Sequence, residues 1–222
     1  MSTFPNSPRL LKGGIVVVDP ESGSILRVIT LQYNPDTVSR TLQLQSYTST
    51  GGGAGSGDRG EALRLKGPPI ETYKVEAELD ATDALEVGDN TAGQLGIHPQ
   101  LAVLEALCYP TSAQLIARNA LSQAGTLEIA PIEAPLTLFV WSKNRIVPVR
   151  LTDFSVTEEA FDPLLNPIRA KVSLGLRVLN VDDLGFGHRG GSLYLAYQQQ
   201  KEQLATQARA GTLAALGIGG LP

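Results

Sequence analysis

The sequence is poor in the residue types that catalytic and metal sites most often use. Its 222 residues include one cysteine, Cys108, and two histidines, His98 and His188. A lone cysteine excludes an intramolecular disulfide, and two histidines far apart in sequence offer too few ligands for a zinc site. No spacing of acidic or nucleophilic residues suggests a catalytic set. We therefore expect no enzyme activity, no metal and no cofactor.

Aromatic residues and long apolar runs are scarce as well. Aromatics make up 5% of the chain, which argues against a small-ligand β-barrel with an aromatic interior. No apolar run reaches the ~18 residues that span a bilayer, so no membrane span is expected. The net charge of −4 argues against nucleic-acid binding, which usually needs a basic face. The first nine residues have no apolar core, so we expect no signal peptide and a cytoplasmic origin.

What the chain does have is alternation of apolar and polar residues. In 168–179 every even position is apolar, and the odd positions include Arg169, Lys171 and Arg177. This period of two predicts a β-strand with one buried face. Residues 72–80 alternate in the same way, but their outer face is mostly acidic. Because opposite charges on neighbouring strands attract, we predict that these two strands pair.

The chain divides into three parts. We expect a flexible tail over 1–11, a β domain over 12–180, and a linker with a C-terminal helical extension over 181–222. A helix is predicted over 99–109 with Cys108 on its buried side, while 83–96 is expected to be a loop. Residues 112–123 are predicted either as a second helix or as part of a linker. The overall prediction is a mainly β, antiparallel structure with a helix in its body and a C-terminal helix beginning near Ser192.

A glycine-rich stretch over 48–69 interrupts the strands. Residues 55–60 formally match the glycine spacing of a dinucleotide-binding loop. That loop needs a helix after it, whereas here Pro68, Pro69 and a strand follow. Asp58 also stands where a phosphate-binding loop would need lysine. We therefore interpret 48–69 as a long loop between two strands.

The order of several short motifs resembles a known family. These motifs are LQYNP at 31–35, YKVEAELD at 73–80, LFVW at 138–141, VRLTDFSV at 149–156, FDPLLNP at 161–167 and RAKVSL at 169–174. In combination, over roughly 12–180, they are similar to the tube-type domain of baseplate adaptor proteins from phage-tail-like contractile injection systems. Two features depart from that pattern: Ser142 replaces a glycine, and 110–135 looks like an insertion. The LysM-type module of many relatives is replaced by residues 181–222.

The resemblance implies a mainly β, antiparallel sandwich or barrel of the phage tail-tube type, with one flanking helix. It also implies a structural role and synthesis in the bacterial cytoplasm. Six copies would form a ring that links the inner tube of an injection particle to its spike-hub and baseplate. The alternatives are an inner tube subunit of the same machine and, in a different class, a small-ligand-binding β-barrel. The residues expected to contact partners are Arg40, Gly52, Gly55, Asp58, Arg59, Arg169, Lys171, Arg177, Tyr194 and Tyr197.

Overall fold

A computed structural model describes residues 10–45, 65–123 and 134–220. The strands are β1 (Gly14–Val18), β2 (Ile25–Thr30), β3 (Val38–Gln43), β4 (Ile70–Asp80), β5 (Leu136–Val140), β6 (Ile146–Phe161) and β7 (Pro167–Val178). The helices are α1 (Thr82–Glu86), α2 (Asn90–Leu95), α3 (His98–Glu105), α4 (Ser112–Gln123), α5 (Val181–Leu184) and α6 (Arg189–Thr206), followed by a 3-10 turn over Leu213–Leu216.

The described strands form one antiparallel sheet in the order β2-β1-β5-β6-β7-β4-β3. A mainly β, antiparallel fold with flanking helices is therefore confirmed. The predicted pairing of 72–80 with 168–179 is confirmed too: Thr72 lies opposite Arg177, and Asp80 lies opposite Arg169. Strands β2 and β3 are the two ends of the sheet.

The apolar positions of the alternating strands form the core. Strand β4 contributes Tyr73, Val75, Ala77 and Leu79, and β7 contributes Ala170, Val172, Leu174, Leu176 and Val178, all of them buried. Helix α3 packs against this cluster through Leu101 and Leu104. Helix α6 reaches it through Tyr194 and Tyr197. Burial of these apolar surfaces is the main source of stability in a domain of this kind.

The sheet is strongly curled. The ring centroids of Tyr73 on β4 and Phe139 on β5 are 5.3 Å apart, although β6 and β7 lie between those two strands. In a flat sheet three strand spacings would separate them by about 14 Å. The curl brings them together across the core, so the two halves of this one sheet face each other.

Some local predictions are wrong. Residues 83–96, expected as a loop, contain α1 and α2, and the Asp89 side chain caps α2 by accepting from the Ala92 amide at 2.8 Å. A short polar helix without an apolar stripe gives little periodic signal, and its cap residue resembles a turn residue. Helix α3 ends at Glu105, and Cys108 lies exposed in the turn after it.

The C-terminal extension is more helical than predicted. The segment interpreted as a linker holds α5 and the first turn of α6. The N-cap of α6 is His188, whose Nδ1 accepts from the Gly190 amide at 3.0 Å, and not Ser192. Residues 112–123 do form a helix, α4, which was one of the two possibilities, and none of its residues is buried.

Candidate functional site

The end strand β2 carries apolar side chains on the surface. Ile25 is 65% exposed, Leu26 55% and Val28 57%, while Ile29 points into the core. On one side β2 pairs with β1, with Val17 opposite Arg27. No described strand pairs with its other side. Strand β2 therefore offers both unpaired backbone groups and apolar surface at the same edge.

The opposite end strand, β3, is tied down by a charged side chain. Val38 is half-buried and the rest of the strand is exposed. Arg40 nevertheless crosses to β4 and donates from Nε to the Glu71 carboxylate at 2.6 Å. Arg40, one of the residues expected to contact partners, therefore lies on an end strand of the sheet. Its described partner is within the same chain.

Glu71 is the centre of a buried polar cluster. Its side chain is 3% exposed, and its Oε1 accepts hydrogen bonds from the hydroxyls of Tyr73 at 2.6 Å and Tyr197 at 3.0 Å. Those two hydroxyl oxygens are themselves 3.0 Å apart. Nζ of Lys201, one turn further along α6, lies 3.7 Å from Oε2. One carboxylate thus joins β3, β4 and α6, and we call these five residues (Arg40, Glu71, Tyr73, Tyr197 and Lys201) the Glu71 cluster.

The electrostatics of the Glu71 cluster keep the carboxylate charged and the tyrosines neutral. Burial alone would raise the pKa of Glu71, but the hydrogen bonds from Tyr73 and Arg40 and the charge of Lys201 outweigh it and lower the pKa. Burial raises the pKa of Tyr73, and its hydrogen bond to Glu71 raises it further. Burial lowers the pKa of Lys201. The carboxylate is engaged by protein donors, so the cluster stabilises structure and presents no free acid or base.

Cation–π contacts surround the same tyrosines. The Lys201 ammonium lies 4.3 Å from the centre of the Tyr197 ring. The guanidinium of Arg145, from the turn between β5 and β6, lies 5.5 Å from the centre of the Tyr73 ring, and that of Arg40 lies 6.0 Å from it. Such contacts contribute roughly 0.5–1 kcal/mol each at partly exposed sites.

A second device closes the curled sheet near the end of β2. Gln32, just after β2, donates from Nε2 to the backbone carbonyl of Asp80 at 2.7 Å and accepts from the Asp80 amide at 3.0 Å. Its side-chain amide therefore acts as a strand partner for the last residue of β4. Asn34 acts similarly on the chain before β1, since it accepts from the Gly13 amide at 2.9 Å and donates to the Leu11 carbonyl at 2.7 Å. We call Gln32 and Asn34 the amide clasp.

The predicted basic residues of β7 are paired within the chain. Arg169 lies 2.8 Å from Asp80, and Arg177 lies 2.8 Å from Asp183. Lys171 is 3.3 Å from Glu159. Their charges are balanced by acidic residues on neighbouring elements, so this face is not a free basic patch.

The remaining predicted contact residues divide into two groups. Tyr194 and Tyr197 are buried against the protein's own sheet, so their assignment as partner anchors is corrected: they dock α6 on the body of the same chain. Gly52, Gly55, Asp58 and Arg59 lie outside the described residues.

Sequence reasoning missed Glu71, Lys201 and the roles of Gln32 and Asn34. The signal for Glu71 was present, because position 71 shares its face with Tyr73, Val75, Ala77 and Leu79. A carboxylate in the buried register of a strand requires a cationic or hydrogen-bonding partner. Arg40, on the apolar side of β3, is that partner. No short-range pattern indicated that α6 would supply the other donors.

Among the described residues no group of three or more potential metal ligands comes together. No helix there is both long and apolar enough to cross a membrane. Comparison with protein-family models found no match to this chain, and comparison with curated proteins found none either.

Proposed function

We propose that this protein is a structural subunit that assembles through the ends of its sheet. In the particle that the sequence motifs imply, it forms a ring that serves as baseplate adaptor or tube initiator. The ring connects the inner tube of a contractile injection system to the spike-hub and baseplate. The observation that carries this proposal is the outer side of β2, which pairs with no described strand and carries three exposed apolar residues, Ile25, Leu26 and Val28.

An unpaired strand edge normally carries protection against association. Natural monomers place lysine, proline or a covering loop there, because free amide and carbonyl groups pair readily with another strand. Strand β2, sequence ILRVIT, has one charged residue, Arg27, and no proline. Its composition favours pairing with another chain, which supports a role in assembly.

The two ends of one sheet offer different surfaces, and this supports a ring. If β2 of one copy joins β3 of the next, the contact is heterologous, and such contacts generate rings when the rotation between copies closes. The motif residues Gln32 and Asn34 fit this role, because the amide clasp fixes the chain directly after β2. The ring of six copies and its partners rest on the sequence resemblance.

An inner tube subunit is the second candidate, since the same exposed edge supports it equally. The two candidates differ in how many layers form. An adaptor forms one ring between two different proteins, whereas a tube subunit stacks in repeated layers of itself.

Electron microscopy of co-expressed components tests the proposal. The full chain is produced with the tube and spike-hub proteins of a contractile injection system from the same genome, if it encodes them, and the purified particles are imaged. We expect a single ring of this protein between tube and hub. Long tubes grown from this protein alone would favour the tube subunit, and a chain that joins neither component would contradict both candidates.

A further inference from the structure

Strand β3 and helix α6 do not pair through their backbones, but side chains from both contact one buried carboxylate, that of Glu71. Strand β3 sends Arg40 to Glu71, and helix α6 sends Tyr197 and Lys201 to the same group. The only described strand that pairs with β3 is β4. Most of β3 is exposed, so few packing contacts hold it. Strands of this kind belong to the regions that open most easily.

We propose that α6 is a latch for the edge strand β3, acting through the Glu71 cluster. When α6 is docked, Tyr197 and Lys201 complete the donors around the Glu71 carboxylate. That carboxylate then holds Arg40, and with it β3, in the plane of the sheet. When α6 is displaced, β3 loses part of this restraint and opens more often.

The physical reason lies in the cost of burying a charge. A buried carboxylate stays ionised only while enough donors surround it, and removal of one donor leaves it incompletely compensated. The remaining donors must then rearrange or water must enter, and either change alters the Arg40 contact. Because α6 and β3 are linked through the same group, each must influence the stability of the other.

This inference also bears on assembly. The latch deepens the proposed function, and its consequence for assembly rests on that function. If β3 receives a neighbouring copy, the docking of α6 decides how firmly β3 is held in the sheet at that edge. The coupling itself is a property of one chain. It can therefore be measured without any assembly.

Hydrogen exchange on the dilute, single-copy full chain provides the test. In Tyr197→Phe the ring stays and one donor to Glu71 is lost. We expect amide exchange over 38–43 to rise about tenfold, as for loss of a hydrogen bond to a charged group. Exchange over 25–30, in the other end strand, should stay within twofold of wild type.

Tyr194→Phe is the matched control. Tyr194 lies on the same helix and is buried, but its hydroxyl makes no hydrogen bond with any described residue. Removing that hydroxyl should leave exchange over 38–43 unchanged. An equal rise in both variants would mean that any change in α6 loosens β3, and would overturn the role of the Glu71 cluster.

A double-mutant cycle with Arg40→Met identifies the route. Arg40→Met should raise exchange over 38–43 and also in the part of α6 over 197–204. Adding Tyr197→Phe to it should change exchange over 38–43 by less than about twofold, because the link is already broken. The latch would be overturned if the effects of the two substitutions on exchange over 38–43 multiply fully. It would also be overturned if Arg40→Met leaves exchange in α6 unchanged. Failure of the protein to form rings would contradict the proposed function and leave this result unaffected.

Discussion

The two ends of the sheet are secured by different means. At β3 a charged side chain, Arg40, reaches into the buried Glu71 cluster. At β2 the restraint comes after the strand, where the neutral amide clasp substitutes for backbone partners. The residues of β2 itself are left with an apolar, exposed edge. One end of the sheet is thus fixed by buried charge. The other is fixed by an amide clasp after the strand, and the outer side of β2 pairs with no described strand.

The contacts that hold the two end strands differ in their energetic cost. An ionic cluster costs desolvation, and it stabilises only if every partner is present. An amide that mimics the backbone costs less and satisfies groups that would otherwise be unpaired. The first device makes β3 depend on a distant helix, whereas the second leaves β2 free to receive another strand.

Removing the carboxylate at the β3 end should have the largest effect on stability. In Glu71→Ala the hydrogen bonds from Arg40, Tyr73 and Tyr197 are lost together, and the two tyrosine hydroxyls remain buried. We expect a loss of about 3 kcal/mol in the free energy of unfolding. Chemical denaturation of the single chain measures it.

The control for this change is Glu76→Ala on the same strand. Glu76 is exposed on the opposite face of β4, so its removal should change the free energy of unfolding by no more than about 0.5 kcal/mol. Similar losses in the two variants would show that Glu71 is not an organising group.

Breaking the clasp at the β2 end should have a smaller effect. Gln32→Ala removes both hydrogen bonds to the Asp80 backbone and leaves that amide and carbonyl without their partner. The expected loss is about 1–2 kcal/mol, again measured by denaturation. Gln43→Ala, at an exposed position of β3, is the control and should be nearly neutral. If Gln32→Ala leaves the free energy of unfolding unchanged, the Gln32 side of the amide clasp does not stabilise the fold.

The smallest effect should come from the middle of the sheet. Lys171 and Glu159 form an exposed pair at 3.3 Å, and surface pairs of this kind contribute little. In Lys171→Met we expect a change of at most a few tenths of a kcal/mol, with little dependence on salt. A loss as large as that of Gln32→Ala would mean that this surface ion pair of β7 stabilises the fold as much as the amide clasp does.

The sequence allowed strands β4 and β7 to be predicted because alternation of apolar and polar residues records which face of a strand is buried. The pairing of β4 with β7 followed from complementary charges, and Asp80 with Arg169 illustrates it. Helices α1 and α2 were missed because they are short and polar, so that capping by Asp89 looked like a turn. Sequence periodicity detects only elements that carry a repeating apolar pattern, and α1 and α2 carry almost no such pattern.

The candidate site was harder to predict because its parts are far apart in the chain. Glu71 and Tyr197 are joined by a contact between distant segments, and periodicity carries no information about such contacts. Tyr194 and Tyr197 were recognised as anchors, but the surface they anchor to is that of their own chain. The role of Gln32 depends on the curl of the sheet, which only the tertiary structure defines.

The most direct measurement of the central claim is the particle mass of three forms of the protein over a range of concentrations. Wild type should form a ring, alone or with the tube and hub proteins. Val28→Lys should remain a single copy, because a lysine on the open edge opposes strand pairing. Val87→Lys makes the same change at a position that is 82% exposed and lies between α1 and α2, outside the strands, and it should assemble like wild type. A wild-type chain that stays single under every condition, or a Val28→Lys chain that assembles equally well, would contradict assembly through β2.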